Sequence, residues 1–150
     1  MNRPHDDREI RLRRDYRWPP DRVFAAWTHP DALAAWFGPD GFETLTESFD
    51  FQVGGSWRFR MVHPERGTFQ NHVRFIEIAP PERLVYEHLD GGERLFVVQV
   101  DFRPTAAGTT LEMCHRFPTA EACRRTIEEY GAVEGGRQTL ARLERLLERG

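Results

Sequence analysis

Residues 49–61 of the chain read FDFQVGGSWRFRM, and the alternation inside this stretch decides the fold class. From Trp57 to Met61, apolar residues alternate with arginine, which is the pattern of a strand that buries one face. The Gly54-Gly55 pair before this segment predicts a turn. The stretch therefore predicts a half-buried strand that follows a turn.

The period of two continues on both sides of this strand, from about residue 43 to residue 117. Turn signals divide this region into six strands, and they lie at residues 53–55, 64–67, 79–82, 90–92 and 106–108. Strands joined by such short turns run antiparallel, because parallel neighbours need long crossovers. Residues 9–16 predict one further strand, so we expect a sheet of about seven strands.

Helical spacing follows the first strand and returns at the end of the chain. Pro19-Pro20 opens a short helix over residues 20–28, and Thr28 is expected to cap a second short helix. Thr119 is expected to cap a helix over residues 120–130. The last helix is expected to span about 16 residues, with an apolar stripe made of Val133, Gly136, Leu140, Leu143 and Leu147.

This order of elements predicts an α+β fold in which residues 1–150 form one domain. A sheet buries one face, and the C-terminal helix is the one predicted element long enough to cover it. A single helix leaves part of a curved sheet uncovered. We therefore expect a cavity between the sheet and this helix, with the apolar walls that are usual for a small-ligand site.

The composition narrows the possible partners. The chain has 150 residues, 39% of them hydrophobic, and a net charge of −3, which is typical of a globular protein without a nucleic-acid footprint. Residues 1–14 are polar, and no apolar run approaches the ~20 residues of a membrane span, so neither a secretory signal nor a membrane partner is expected. Cys114 and Cys123 are expected to be free thiols in a cytoplasmic protein.

Three segments carry a resemblance to a known family. They are WPPDRVFAAWTHPDAL at residues 18–33, FDFQVGGSWRF at residues 49–59 and EIAPPERLVY at residues 77–86. A weaker match joins RFPT at residues 116–119 to EGGRQTL at residues 134–140.

With these motifs the chain resembles the START-like helix-grip superfamily, also called SRPBCC. It is most similar to the family named for the C-terminal domain of the activator of the heat-shock-protein-90 ATPase. The resemblance implies a curved antiparallel sheet wrapped on a long C-terminal helix, with two short helices after the first strand. Gly136 departs from the pattern, since similar proteins often carry tryptophan there.

Three classes of function fit this expectation. We favour the binding of a small apolar or amphipathic ligand in the cavity, without bond chemistry. The alternatives are an enzyme of cyclase, dehydratase or hydrolase type that uses the same cavity, and a protein-interaction module that binds a chaperone or a second copy of the chain. No catalytic residue, metal site or cofactor is assigned, because no known catalytic or metal-binding motif occurs in the sequence.

The candidate ligand-binding residues come from the predicted inner faces and from the pocket rim that the resemblance implies. They are Trp36, Phe37, Trp57, Phe59, Phe75, His115, Gly136 and Leu140. His115 is in step with Leu111 and Met113, so it is expected to face inward, and His88 shares a face with Tyr86. Each histidine is either a sheet-edge or hydrogen-bonded core residue or a polar contact for the ligand. If protonation of His115 affects the ligand, binding should change between pH 5 and pH 8.

Two further positions leave alternatives open. Glu47 is in step with Phe49, so it is expected to be buried, either paired with an arginine or acting as a general base with His115. Gly136 lies on the apolar stripe of the last helix, where glycine weakens a helix. It marks either a bend between two helical pieces or a space left for a ligand.

Overall fold

Seven antiparallel strands and four helices make up the computed structural model, which describes residues 7–150. The strands are β1 (Glu9–Tyr16), β2 (Glu43–Phe49), β3 (Ser56–His63), β4 (Gly67–Ala79), β5 (Arg83–Asp90), β6 (Glu93–Thr105) and β7 (Gly108–Arg116). The helices are α1 (Pro20–Ala25), α2 (Pro30–Trp36), α3 (Ala120–Tyr130) and α4 (Ala132–Arg149). The predicted α+β helix-grip fold is confirmed.

The strands form one curved sheet in the order β1-β7-β6-β5-β4-β3-β2. All six pairings are antiparallel, as the short turns predicted. Strand β1 pairs with β7, the last strand, whereas β2 to β7 form a continuous meander. This order places β6 and β5 near the middle of the sheet, where most of the inward residues are buried.

The two faces of the sheet differ in chemistry. The inner face is apolar, and one row across it joins Phe75, Tyr86 and Val98, all buried. The outer face carries ion pairs, such as the Arg74 Nε to Glu87 Oε2 contact at 2.8 Å. Charged pairs keep the outer face solvated, so the helices pack on the inner face and the core forms there.

The first two helices begin with proline and cover different parts of the sheet. Helix α1 packs on β6 and β7, whereas α2 packs on β2 and α4. Thr28 does not cap α2, and this prediction was wrong. The hydroxyl of Thr28 donates to the Ala25 carbonyl at the end of α1, and His29 begins α2 without a side-chain hydrogen bond.

The C-terminal helices are two pieces joined at a glycine. The hydroxyl of Thr119 accepts a hydrogen bond from the Ala122 amide at 3.1 Å, which confirms the predicted cap of α3. Gly131 ends α3 in the left-handed conformation, with φ 60° and ψ 41°. Helix α4 then buries Leu140, Leu143 and Leu147. The change of direction therefore lies at Gly131.

Gly136 lies within α4 and has no left-handed backbone angle. A bend between two helical pieces was expected over residues 131–136; it is present at Gly131, and Gly136 is not part of it. A Cβ atom built at this position would overlap the Cδ1 methyl of Leu12 on β1. The missing side chain thus lets α4 approach β1 closely.

Glu47 is exposed, contrary to the prediction of a buried acid. The pairing of β2 with β3 shifts by one residue between Thr46 and Ser48, which is a β-bulge at Glu47. An inserted residue reverses the inward and outward alternation beyond it. Glu47 therefore faces solvent, where its carboxylate contacts the Arg60 guanidinium at 3.4 Å.

Candidate functional site

A pocket of about 180 Å³ lies between the inner face of the sheet, α3, α4 and the loop after α2. Strands β1, β3, β5, β6 and β7 all contribute side chains to it, so it sits where the helices cover the sheet incompletely. It is lined by Ile10, Phe37, Gly38, Pro39, Met61, Tyr86, His88, Phe96, Met113, His115, Phe117, Thr126, Tyr130, Ala132, Gly135, Gly136 and Thr139. Apolar groups dominate this wall.

Three polar side chains on the sheet side of the pocket have no hydrogen-bond partner within the described chain. Tyr86 is 3% exposed, and its hydroxyl makes no hydrogen bond to any residue from 7 to 150. His115 Nδ1 is likewise buried without a hydrogen-bond partner among these residues. His88 lines the same wall and shows no hydrogen bond in this part of the chain either. The pocket therefore presents hydrogen-bonding groups that the fold itself does not use.

These polar groups are uncharged near neutral pH. Burial lowers the pKa of His115 to about 4. Burial, helped by the nearby His115, lowers the pKa of His88 to about 3. Burial also raises the pKa of Tyr86, so its phenol keeps its proton. Each neutral imidazole offers one donor and one acceptor, and the phenol offers both.

The pKa of His115 changes an earlier expectation. With a pKa of about 4, its ring stays neutral from pH 5 to pH 8. We therefore no longer expect His115 to make ligand binding change between pH 5 and pH 8. Any effect of its protonation on binding is expected at lower pH. The physical reason is that charging the ring would place an unsolvated cation against an apolar wall.

An aromatic cluster holds the two histidines in place. The ring of His88 stacks on Phe96, with centroids 4.5 Å apart and planes at 21°. Phe96 also contacts the His115 ring at 5.7 Å and the Phe117 ring at 4.9 Å. Phe96, itself packed on Phe117, thus holds both histidine rings in the wall, which reduces the conformational entropy that ligand binding would otherwise cost.

The helical side of the pocket is shaped by two consecutive glycines. Gly135 and Gly136 both line it. A Cβ atom at Gly135 would come within 3.2 Å of Pro39 Cγ, so the loop after α2 lies close to the α4 backbone there. The hydroxyl of Thr139 donates to the Gly135 carbonyl, and that of Thr126 donates to Ala122. Small residues and satisfied hydroxyls therefore give the helices a smooth, uncharged wall.

With this geometry established, the comparisons with known proteins identify the family. The family model described as Activator of Hsp90 ATPase homolog 1-like protein matches residues 17–148. The chain belongs to this family. No curated protein matches it.

Solved structures similar to this member of the Hsp90-activator-like family come from several bacteria. A protein of Nitrosomonas europaea is 25% identical with a TM-score of 0.84, and the alignment covers 97% of each chain. A protein of Rhodobacter sphaeroides is 27% identical with a TM-score of 0.83, over 97% of this chain and 95% of the other. A protein of Chromobacterium violaceum is 27% identical with a TM-score of 0.81, over 92% and 96%.

The eight candidate residues separate into two groups in this Hsp90-activator-like chain. Phe37, His115 and Gly136 line the pocket. The other five lie outside its wall and pack in the core instead: Trp36, Trp57, Phe59, Phe75 and Leu140.

The physical reason is mutual packing of the large aromatic rings. Trp57 stacks on Phe59 at 3.8 Å, and Trp36 packs edge-on against Trp27 at 4.7 Å. These contacts fill the inner surface that the rings cover, so they leave no space there. The pocket lies beside them, where smaller helical residues face β5, β6 and β7.

Tyr86 and Phe96 were not predicted from the sequence to line the site, and His88 was left open. A signal was present, because Tyr86 and His88 are two residues apart on a strand and therefore share a face. The alternation within a strand does not show which residues of the neighbouring strands lie opposite one another. His88 lies opposite Phe96, and Val98 lies opposite both Tyr86 and His115. That register brings the polar groups together.

The described residues form neither the expected acid–base pair nor a cluster of metal ligands. The convergence of His115 with Glu47 that would indicate acid–base catalysis does not form, since Glu47 is solvent-exposed and paired with Arg60. Within residues 7–150, no three side chains of histidine, cysteine, aspartate or glutamate are grouped to hold a metal ion. None of the described helices combines the length and apolarity needed to cross a membrane.

Proposed function

We propose that this protein binds a small amphipathic molecule in the pocket between the sheet and the C-terminal helices. The observation that carries the proposal is a largely apolar pocket whose wall holds two polar groups without a hydrogen-bond partner in residues 7–150, the Tyr86 hydroxyl and the buried His115 Nδ1. Apolar walls provide affinity, and a few placed polar groups orient a ligand. An unpartnered buried donor or acceptor such as His115 Nδ1 costs roughly 1–3 kcal/mol, and a ligand that bonds to it recovers part of this energy.

The other two hypotheses have less support from the structure. An enzyme of cyclase or hydrolase type lacks the Glu47–His115 pair that was expected to supply acid–base chemistry. A chaperone-binding or dimerising surface would favour clustered exposed apolar residues. The large exposed apolar side chains within residues 7–150 are few, and only Val53 and Tyr130 of them are more than half exposed; the others are Leu45, Ile76, Leu95 and Ile127. We also propose that the protein is cytoplasmic, as expected from its sequence.

Titration with 2-naphthol, a small fluorescent amphipathic molecule, tests the proposal. We expect saturable binding to one site per chain. The variant Ala132→Phe places a ring at the pocket wall and should abolish this binding. The matched control is Ala141→Phe, on the same helix but outside the lining. It should bind like the unchanged protein, with circular dichroism showing that both variants fold.

Unsaturable binding, or equal binding by both variants, would contradict the proposal. Native mass spectrometry of the protein purified from its own host complements the titration. A co-purifying small molecule that Ala132→Phe no longer retains would identify the ligand.

A further inference from the structure

The side chains that line the pocket carry no charge. Its seventeen lining residues include no arginine, lysine, aspartate or glutamate. This is notable in a chain where 30% of the residues are charged. The charged groups lie outside the lining. The Glu87 carboxylate on the outer face of the sheet is held by Arg74 and Arg94, and the Arg142 guanidinium of α4 donates to the backbone carbonyls of Gly38 and Pro39.

An uncharged wall selects against an ionic ligand. A carboxylate or ammonium group that leaves water must find an opposite charge or several hydrogen bonds, since burying an ion alone is very costly. The two histidines do not supply a positive charge near neutral pH, because burial holds the pKa of each well below its usual value. The phenol of Tyr86 is neutral for the corresponding reason.

The size of the pocket limits the ligand further. A cavity of about 150 Å³ with apolar walls is known to hold benzene. The pocket here is only slightly larger, about 180 Å³. It therefore accommodates one ring with a small substituent, or two fused rings if one reaches the open mouth near Tyr130.

Tyr86 gives the ligand its orientation. A second buried tyrosine shows the contrast: the hydroxyl of Tyr16 donates to the Leu140 carbonyl at 2.8 Å and is satisfied by the fold. The hydroxyl of Tyr86 has no such partner within residues 7–150, although the two tyrosine residues as wholes are almost equally buried. A ligand oxygen or nitrogen in the pocket would satisfy it.

We propose that the ligand is an uncharged molecule of one or two rings with a single hydrogen-bonding group, and that the pocket discriminates against the corresponding anions. This inference rests on the proposed function, because it specifies the ligand of the same pocket. The hydrogen-bonding group contacts Tyr86, with His88 and His115 beside it.

Four small probes of similar shape test the proposal by protein-detected NMR titration at neutral pH: toluene, p-cresol, benzamide and benzoate. We expect p-cresol and benzamide to bind at the pocket residues. Benzoate has nearly the shape of benzamide but is anionic, and it should bind at least about tenfold more weakly because no counter-charge is present. Toluene should bind more weakly than p-cresol, since it lacks the hydroxyl.

The variant Tyr86→Phe assigns the hydrogen bond, and Tyr16→Phe is its matched control. Tyr86→Phe should weaken p-cresol binding about threefold to tenfold, the usual value of one hydrogen bond, and leave toluene binding unchanged. Tyr16→Phe removes a buried hydroxyl outside the pocket and should change neither affinity.

The outcomes separate this inference from the function on which it rests. Benzoate binding as tightly as benzamide would overturn the inference while leaving ligand binding intact. So would an unchanged ratio of p-cresol to toluene affinity in Tyr86→Phe. Failure of all four probes, together with failure of 2-naphthol, would overturn the proposed function as well.

Discussion

Individual residues in this protein show how polar groups can be buried without charge. His88 and His115 sit in an aromatic cluster, and both have a pKa far below the ordinary value of 6.5. They stay neutral because their surroundings replace water with rings and methyl groups. Near neutral pH the buried, uncharged histidines do not weaken the fold. In acid their burial destabilises the fold, because it disfavours the protonated rings.

The acid sensitivity of the fold should depend on His115. The unfolded chain binds a proton at this residue below pH 6.5, whereas the folded chain does so only below about pH 4. Between these values protons favour the unfolded state, so stability falls with decreasing pH, by roughly 3 kcal/mol in total for this group. His115→Phe should lose correspondingly less stability over this interval in urea unfolding experiments.

An exposed histidine provides the control for this experiment. His29 lies at the start of α2 and is exposed to solvent. His29→Gln should keep the pH dependence of the unchanged protein. If His115→Phe keeps it too, the ring is not buried as a neutral group.

At the scale of elements, the close approach of α4 and β1 depends on Gly136. Adding a Cβ atom there would overlap the Leu12 methyl. Alanine normally improves a helix by about 0.5–1 kcal/mol over glycine. Overpacking a core commonly costs about 1–3 kcal/mol, so the packing term is the larger of the two.

A double-mutant cycle between these two positions tests the contact. Gly136→Ala alone should destabilise the protein by about 1 kcal/mol. In the Leu12→Ala background the overlapping methyl is absent, so the same change should stabilise by about 0.5–1 kcal/mol. Denaturant unfolding of the four proteins measures both values. An identical effect in the two backgrounds would show that Gly136 does not contact Leu12.

Elements also show what the sequence can and cannot predict. Alternation and turn residues predicted all seven strands, because each signal is local to its strand. Glu47 was misplaced since a one-residue bulge leaves no mark in the alternation itself. Thr28 was assigned to the start of α2, but its hydroxyl bonds to the Ala25 carbonyl of α1. A threonine hydroxyl can donate to a preceding carbonyl or accept from a following amide, and the sequence does not show which.

The candidate site was less predictable than the fold for a related reason. Whether an inward residue packs in the core or borders a cavity depends on the helix opposite to it. Phe75 and Tyr86 are direct neighbours on the inner face, yet only Tyr86 of the two reaches the pocket. That difference arises from the placement of α3 and α4, which no pattern within a strand encodes.

At the scale of the whole molecule, the expectation of one domain predicts one cooperative transition. Leu143 of α4 is completely buried, and Leu143→Ala should cost about 2–5 kcal/mol. The chain has four tryptophans, and three of them, Trp27, Trp36 and Trp57, are buried in the core. In Leu143→Ala, the unfolding midpoint measured by tryptophan fluorescence should fall together with the midpoint measured by far-ultraviolet circular dichroism.

The exposed Leu95 supplies a matched control at a solvent-facing site. Leu95 is 45% exposed, so Leu95→Ala should move either midpoint little. Two separate transitions in Leu143→Ala, with fluorescence lagging behind circular dichroism, would mean that the chain folds as more than one unit.

The loose attachment of α3 has a consequence for the lifetime of a complex. Of its eleven residues, all within the described chain, Cys123 alone is buried, yet Thr126 and Tyr130 form part of the pocket wall. Separating such a helix needs far less free energy than unfolding the sheet. If a molecule binds in this pocket as proposed, we expect its departure to require α3 to move about Gly131. Its residence time would then depend on the attachment of α3, and its selectivity on the sheet wall.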